Sequence, residues 1–208
     1  MNQLVESVVH EHVHRDDVGA KIGMWLFLFT ELILFGGMFL AYAVYRYQYG
    51  DFFALASKKL DVFFGLINTL ILLTSSLTMA MSITAIRRES KKLSMLFLAL
   101  TIFFALLFMV NKYFEWSAKF SSGIFPGSTE LLNQPKGIII YFGLYFVMTG
   151  LHALHVLIGM VILLVMFFYL KSDVINSDYY IMLENSGLYW HLVDIIWIFL
   201  FPLFYLIH

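Results

Sequence analysis

Five runs of about twenty or more residues, each nearly free of charge, divide this chain at about 22–45, 62–86, 93–114, 138–170 and 186–207. A helical run of that length matches the ~30 Å hydrocarbon core of a bilayer. In lipid a backbone must satisfy its own hydrogen bonds, and a helix does so within one segment. The runs are continuously apolar and lack the alternation of a membrane β-strand. The sequence therefore predicts an all-α, polytopic membrane protein, a bundle of five transmembrane helices. Of 208 residues, 61% are hydrophobic and 13% charged, about half the charge of an ordinary soluble domain. The absence of cysteine excludes disulfides, iron–sulfur ligation and c-type haem attachment. A formal net charge of −1 gives no pull toward nucleic acid.

Residues 1–21 form a polar lead-in of mixed charge, and residues 22–208 one transmembrane domain. The lead-in lacks a basic start, an apolar centre and a small-residue cleavage site, so it does not read as a secretory signal. Orientation rests on the positive-inside bias. The hairpin RRESKK, Arg87 to Lys92, carries four basic residues in six positions. That density puts it and the N-terminus on the cytoplasmic side and the C-terminus outside. Elsewhere the basic residues are nearly balanced. The stretch 115–137, containing SGIFPGSTELLNQPKG, reads as an irregular external cover. Gly36 and Gly37, the stretch TSSLTMAMS at 74–82, and Gly143, Gly150 and Gly159 read as packing faces, because helices in lipid approach through small residues. Trp25, Trp116 and Trp190 read as interfacial anchors.

Ionisable side chains inside apolar spans are costly and need a partner or a task. Glu31 follows Ile22 by nine residues, about 14 Å along a helix and near the bilayer midplane. It predicts a protonated or partnered carboxyl, serving helix contacts or proton movement. His152 and His155 in TGLHALHVLIG are spaced i, i+3, as are His191 and Asp194 in LYWHLVDIIW. Glu184 sits two turns before His191 on about the same face. Together they suggest an interhelical polar network on the fourth and fifth helices. Lys112 and Glu115, again three apart, suggest an ion pair at the outer end of the third. A single His–x–x–His pair also suits haem or metal, although zinc wants three or four converging ligands. The residues alone leave a polar clasp, a proton path and a metal or haem site open. The segment HEHVH at 10–14 looks metal-like too, in the manner of terminal histidines that bind metal adventitiously.

The motifs and their order are specific. KIGMWLFLFTELILFGGMFLAYAVYR, GLINTLILLTSSLTM, NKYFEWS, TGLHALHVLIG and YWHLVDIIWIFLFPLFYL resemble, in sequence order from Lys21 onward, subunit III of the haem–copper terminal oxidases. These respiratory enzymes reduce O2 to water with electrons from cytochrome c or quinol. The resemblance implies the shorter, bacterial five-helix form, in the bacterial cytoplasmic (inner) membrane. It implies no catalytic residue, no metal site and no redox centre in this chain, with haems and copper held by subunits I and II. It implies packing on subunit I, with subunit II and a small subunit IV as further neighbours. Bound phospholipid, and support of proton uptake and of the catalytic centre's lifetime, follow from the same likeness. The family's carbodiimide-reactive carboxylate maps onto Glu31. Its motif histidines map onto His152, His155 and His191, and its acidic partners onto Glu184 and Asp194. On this reading these groups knit the fourth and fifth helices together and meet lipid. Accessory subunits of nitric oxide reductase-type complexes share the motifs. A free-standing haem or metal electron carrier is the alternative of a different class.

Overall fold

The computed structural model describes residues 16–207, so the HEHVH segment lies outside the described residues. Seven helices follow in order: α1 (Asp17–Gln48), α2 (Gly50–Ser57), α3 (Val62–Arg87), α4 (Lys91–Ser121), α5 (Thr129–Leu132), α6 (Lys136–Lys171) and α7 (Ile181–Tyr205). Five of them, α1, α3, α4, α6 and α7, are long and apolar enough to cross a membrane. The described residues contain no strand. The expected all-α membrane bundle is therefore the architecture observed.

The helix ends differ from the expected ones for local reasons. α1 starts at Asp17, inside the polar lead-in, because the Asp16 carboxylate accepts from the Gly19 N–H at 2.7 Å and caps the first turn. Asp61 caps α3 the same way, through Phe63 N–H at 2.8 Å. α3 closes with Glu89 in the left-handed region, φ 58°, and Ser90 N–H returning to the Ala85 carbonyl at 2.9 Å. α4 runs well past 114, into the stretch whose Pro and Gly content suggested an irregular cover. Lys112 and Glu115 are buried there instead, and Trp116 packs its ring against Phe146. The irregular cover therefore shrinks to the segment between α4 and α6, and α5 interrupts it. α7 starts at Ile181, ahead of the expected 186, and α2 was not anticipated.

α7 sits at the centre, packed by α3 and α6 and more lightly by α1. Trp190, Trp197 and Phe204 are completely buried along it. Trp190 is thus a core residue and not an interfacial anchor. It lies against Gly159, where an added Cβ would sit 2.9 Å from its ring, and its indole N–H donates to Ser75 Oγ at 3.0 Å. α3 and α4 form the tightest helical pair. Thr78 meets Thr101 at 2.8 Å, and Ser82 donates to the Ser94 carbonyl at 2.9 Å, so the 74–82 stretch does serve as a packing face. Gly36, Gly37 and Gly143 do not: each faces open space.

The C-terminal end of α7 shows how a helix end in an apolar bundle is satisfied. Its last carbonyls have no partner within the helix. Tyr42 of α1 donates to the Leu203 carbonyl, Tyr141 of α6 to the Phe204 carbonyl at 2.6 Å, and Ser57 of α2 to the Ile207 carbonyl at 2.7 Å. Three elements distant in sequence are fastened to one helix end.

Candidate functional site

α1 is the most loosely held span. Most of its apolar surface is exposed, and only Leu28, Phe35 and Tyr42 are buried. Its mid-span attachment is polar. Glu31 Oε2 lies 2.8 Å from His155 Nε2 of α6, and the Phe35 ring meets the imidazole edge-on at 5.3 Å. The other imidazole nitrogen, Nδ1, is 2.7 Å from the Leu151 carbonyl. A carbonyl only accepts, so Nδ1 carries a proton. One further proton then lies between Nε2 and Glu31. Either the carboxyl donates it to a neutral imidazole, or an imidazolium donates it to a carboxylate. Both arrangements are neutral overall, which is what an apolar span demands of an ionisable pair. Tyr189 of α7 completes the surroundings by donating to the His155 carbonyl at 3.1 Å.

The other expected network residues do not join this pair. His191 Nδ1 bonds to Ser76 Oγ of α3 at 2.6 Å. Asp194 is 2% exposed, and its carboxyl faces the same Ser76 hydroxyl, which therefore lies between His191 and Asp194. His152 is completely buried between Trp197, 5.2 Å away, and Phe108, 5.6 Å away, with both nitrogens unpartnered among the described residues. Glu184 sits near the start of α7, between Arg87 and Lys21, the latter 3.3 Å away. The expected direct clasp between α6 and α7 is therefore replaced. His155 of α6 turns to Glu31 of α1, and His191 of α7, with Asp194 beside it, turns to Ser76 of α3. The i, i+3 spacing put His152 and His155 on adjoining faces, but those faces meet different helices.

Lys112 and Glu115 form the most elaborate polar cluster. Lys112 Nζ donates to Glu115 Oε2, Tyr145 OH and Tyr205 OH, each at 3.1 Å. Glu115 Oε1 in turn accepts from Tyr145 OH at 2.5 Å and from Tyr205 OH. All three ammonium protons and both phenol protons are placed, across α4, α6 and α7. Lys112 is 3% exposed and Glu115 6%, so the ion pair suggested at the outer end of the third span sits inside an enclosed ring. Tyr145 and Tyr205 gave no signal in the sequence, where they are two of twelve tyrosines.

No group of three or more His, Asp or Glu side chains comes together to hold a metal ion among the described residues. His152, His155 and His191 have separate surroundings, as above.

Comparison with known proteins gives these residues a context. The family described as cytochrome c oxidase subunit III matches residues 3–208. The chain is 33% identical to cytochrome c oxidase subunit 3 of Rhipicephalus sanguineus, over 93% of this chain and 73% of the relative. It is 29% identical to the probable quinol oxidase subunit 3 of Staphylococcus saprophyticus, over 97% and 94%. It is also 34% identical to the heme-copper oxidase subunit I+III of Aeropyrum pernix, over 90% of this chain but only 22% of that longer protein. A match over nearly the whole chain, with its polar motifs set in a five-span bundle, places the protein: it belongs to the cytochrome c oxidase subunit III family.

Proposed function

We infer that this chain is the non-catalytic subunit III of a respiratory haem–copper oxidase, in a complex that reduces O2 to water and pumps protons. The observation that carries this reading is the family match across residues 3–208. The name of the Aeropyrum pernix relative, subunit I+III, supports subunit I as the main contact. The exposed apolar surface of α1 is available to such a neighbour or to lipid. On this reading haems and copper reside in subunits I and II, and subunit II and a small subunit IV are further neighbours. The membrane is the bacterial inner one, with the 87–92 hairpin cytoplasmic.

Within that role, Glu31 and His155 form the site that supports proton uptake and the endurance of the catalytic centre. The pair holds one exchangeable proton between two side chains, 2.8 Å apart, at the seam of α1 and α6. Its neutrality lets it persist in an apolar span. The pair also fixes α1, whose outer face would carry bound phospholipid.

Purification of the tagged chain from native membranes in mild detergent tests the reading. A haem–copper subunit I with its absorption spectrum should co-purify. Recovery of the chain without it would contradict the assignment. A Soret band in the isolated chain would point to the free-standing electron carrier instead.

A further inference from the structure

α3 and α7 share a second set of ionisable groups, apart from Glu31 and His155. Ser76 Oγ of α3 lies 2.6 Å from His191 Nδ1, and the Asp194 carboxyl faces the same hydroxyl. Asp194 is 2% exposed and thirteen residues past Ile181, about 20 Å along the helix. The carboxyl has no other hydrogen-bond partner among the described residues. His191 connects this interior to the surface. It lines a cleft of about 360 Å³ between α1, α3 and α7, which reaches the hairpin end of the bundle, where Lys21 and Arg87 flank Glu184. Nδ1 is taken by Ser76, so Nε2 is the nitrogen left for the cleft. Asn185 lines the same cleft; its amide N–H donates to the Ala20 carbonyl at 3.3 Å, and its Oδ1 has no partner among the described residues. A space of that size, lined by a carboxylate, an amide oxygen and an imidazole nitrogen, meets the requirements for ordered water.

The order of the three groups decides what they can do. In a hydrolytic triad the imidazole sits between hydroxyl and carboxylate and activates the hydroxyl as a nucleophile. Here the hydroxyl is in the middle, and a hydroxyl both donates and accepts. With a neutral imidazole, two arrangements satisfy all three groups. In one, Asp194 is a carboxylate that accepts from Ser76, and Ser76 accepts from His191 Nδ1–H. In the other, Asp194 is an acid that donates to Ser76, Ser76 donates to Nδ1, and Nε2 carries the imidazole proton.

We propose that Asp194 is a proton-exchange site loaded from the hairpin-side cleft through His191 and Ser76. A proton from cleft water binds His191 Nε2, the Nδ1 proton passes to Ser76 Oγ, and the Ser76 proton passes to Asp194. The imidazole ends neutral and the carboxylate ends as an acid, so one proton enters and one is stored. The reverse sequence releases it. The loaded arrangement is uncharged, which an apolar span favours. The charged groups facing this entrance are Lys21 from α1, Arg87 from α3 and Glu184 from α7. Glu184 lies two turns before His191 and offers the arriving proton an acceptor at the cleft mouth.

Infrared difference spectroscopy of the full-length protein in its purified complex tests this, by exchanging H2O for D2O and following the carboxylic C=O band that Asp194→Asn removes. In the wild type that band should be present and should shift on exchange. Ser76→Ala, which takes away the central hydroxyl, and His191→Phe, which keeps a ring without nitrogens, should each slow the shift about 100-fold, the low end of what a positioned proton-transferring group supplies. Ser76→Thr restores a hydroxyl and should exchange at close to the wild-type rate. His152→Phe, in a different part of the bundle, should leave the rate unchanged. If Asp194→Asn removes no acid band, the stored proton does not exist and the proposal is overturned. Exchange as fast in Ser76→Ala as in the wild type would overturn it by showing another route to Asp194. Slowing in Ser76→Thr equal to that in Ser76→Ala, or in His152→Phe equal to that in His191→Phe, would assign the effect to packing and overturn it as well. None of these readouts uses O2 reduction, so failure of the relay is distinguishable from failure of the oxidase reading, which shows as loss of subunit I on purification.

Discussion

Glu31 and His155 meet at 2.8 Å across the seam between α1 and α6, and the Leu151 carbonyl on the far side of the imidazole leaves one proton for the pair to share. This contact is the polar anchor at mid-span for a helix whose apolar surface is mostly exposed. The rest of the attachment is at the ends. Lys21 meets Glu184, Asn185 donates to the Ala20 carbonyl at 3.3 Å, and Tyr42 donates to the Leu203 carbonyl. The pair therefore fastens α1 at mid-span, in the same geometry on which the proposed proton-support role rests.

The two histidines of α6 should respond differently to the same substitution. His155→Phe leaves the Glu31 carboxyl without its partner, which costs about 1–3 kcal/mol for a buried polar group. His152→Phe replaces a ring already stacked on Trp197, with nitrogens that bond to nothing among the described residues, and should be close to neutral. Thermal unfolding midpoints of the purified protein in detergent compare them. A larger drop for His152→Phe would show that the pairing is misassigned.

The Lys112 ring predicts non-additive energetics. Lys112→Met strands Glu115 in the interior, and breaking one side of a buried pair typically costs about 3–5 kcal/mol. Lys112→Met combined with Glu115→Leu should recover part of that loss, since both buried charges are then gone. Additive destabilisation in the double variant would contradict a closed Lys112–Glu115–Tyr145–Tyr205 ring.

Glycine positions should divide by what their Cβ would meet. Gly159→Ala drives a methyl to 2.9 Å from the Trp190 ring, an overpacking that costs about 1–3 kcal/mol. Gly36→Ala meets nothing within 4 Å and should stabilise α1 by up to ~1 kcal/mol through helix propensity. Unfolding midpoints read both, and equal effects would contradict the packing described.

The Glu184 pairs should count for little by comparison. Lys21 and Arg87 are each about half exposed, so Glu184→Ala should cost less than about 1 kcal/mol. Its effect should be confined to faster amide exchange in the first turns of α1.

The five spans were legible because a bilayer imposes length and continuous hydrophobicity on each helix, and both are one-dimensional properties. The intramembrane polar residues were legible for the same reason, as exceptions to that rule. Their partners were not. Spacing of i, i+3 places His152 and His155 on neighbouring parts of α6, but a one-dimensional pattern does not say that one part faces α1 and the other α4 and α7. Glu31 was identified, yet its partner lies 124 residues away in sequence. Tyr145 and Tyr205 were missed because a tyrosine in an apolar run reads as bulk until a buried ion pair needs its hydroxyl. α4 reads too short in the sequence because Glu115 and Lys119 lead into a Pro- and Gly-containing stretch that reads as cover, and the burial of Glu115 is a tertiary fact.

The most direct test of the account is the number of turnovers an oxidase containing Glu31→Gln completes before it inactivates. The amide keeps the size of the side chain and removes the shared proton. The variant complex should assemble and start at the normal rate but fail after fewer turnovers. A variant that works as long as the wild type would contradict the role given to the Glu31–His155 pair.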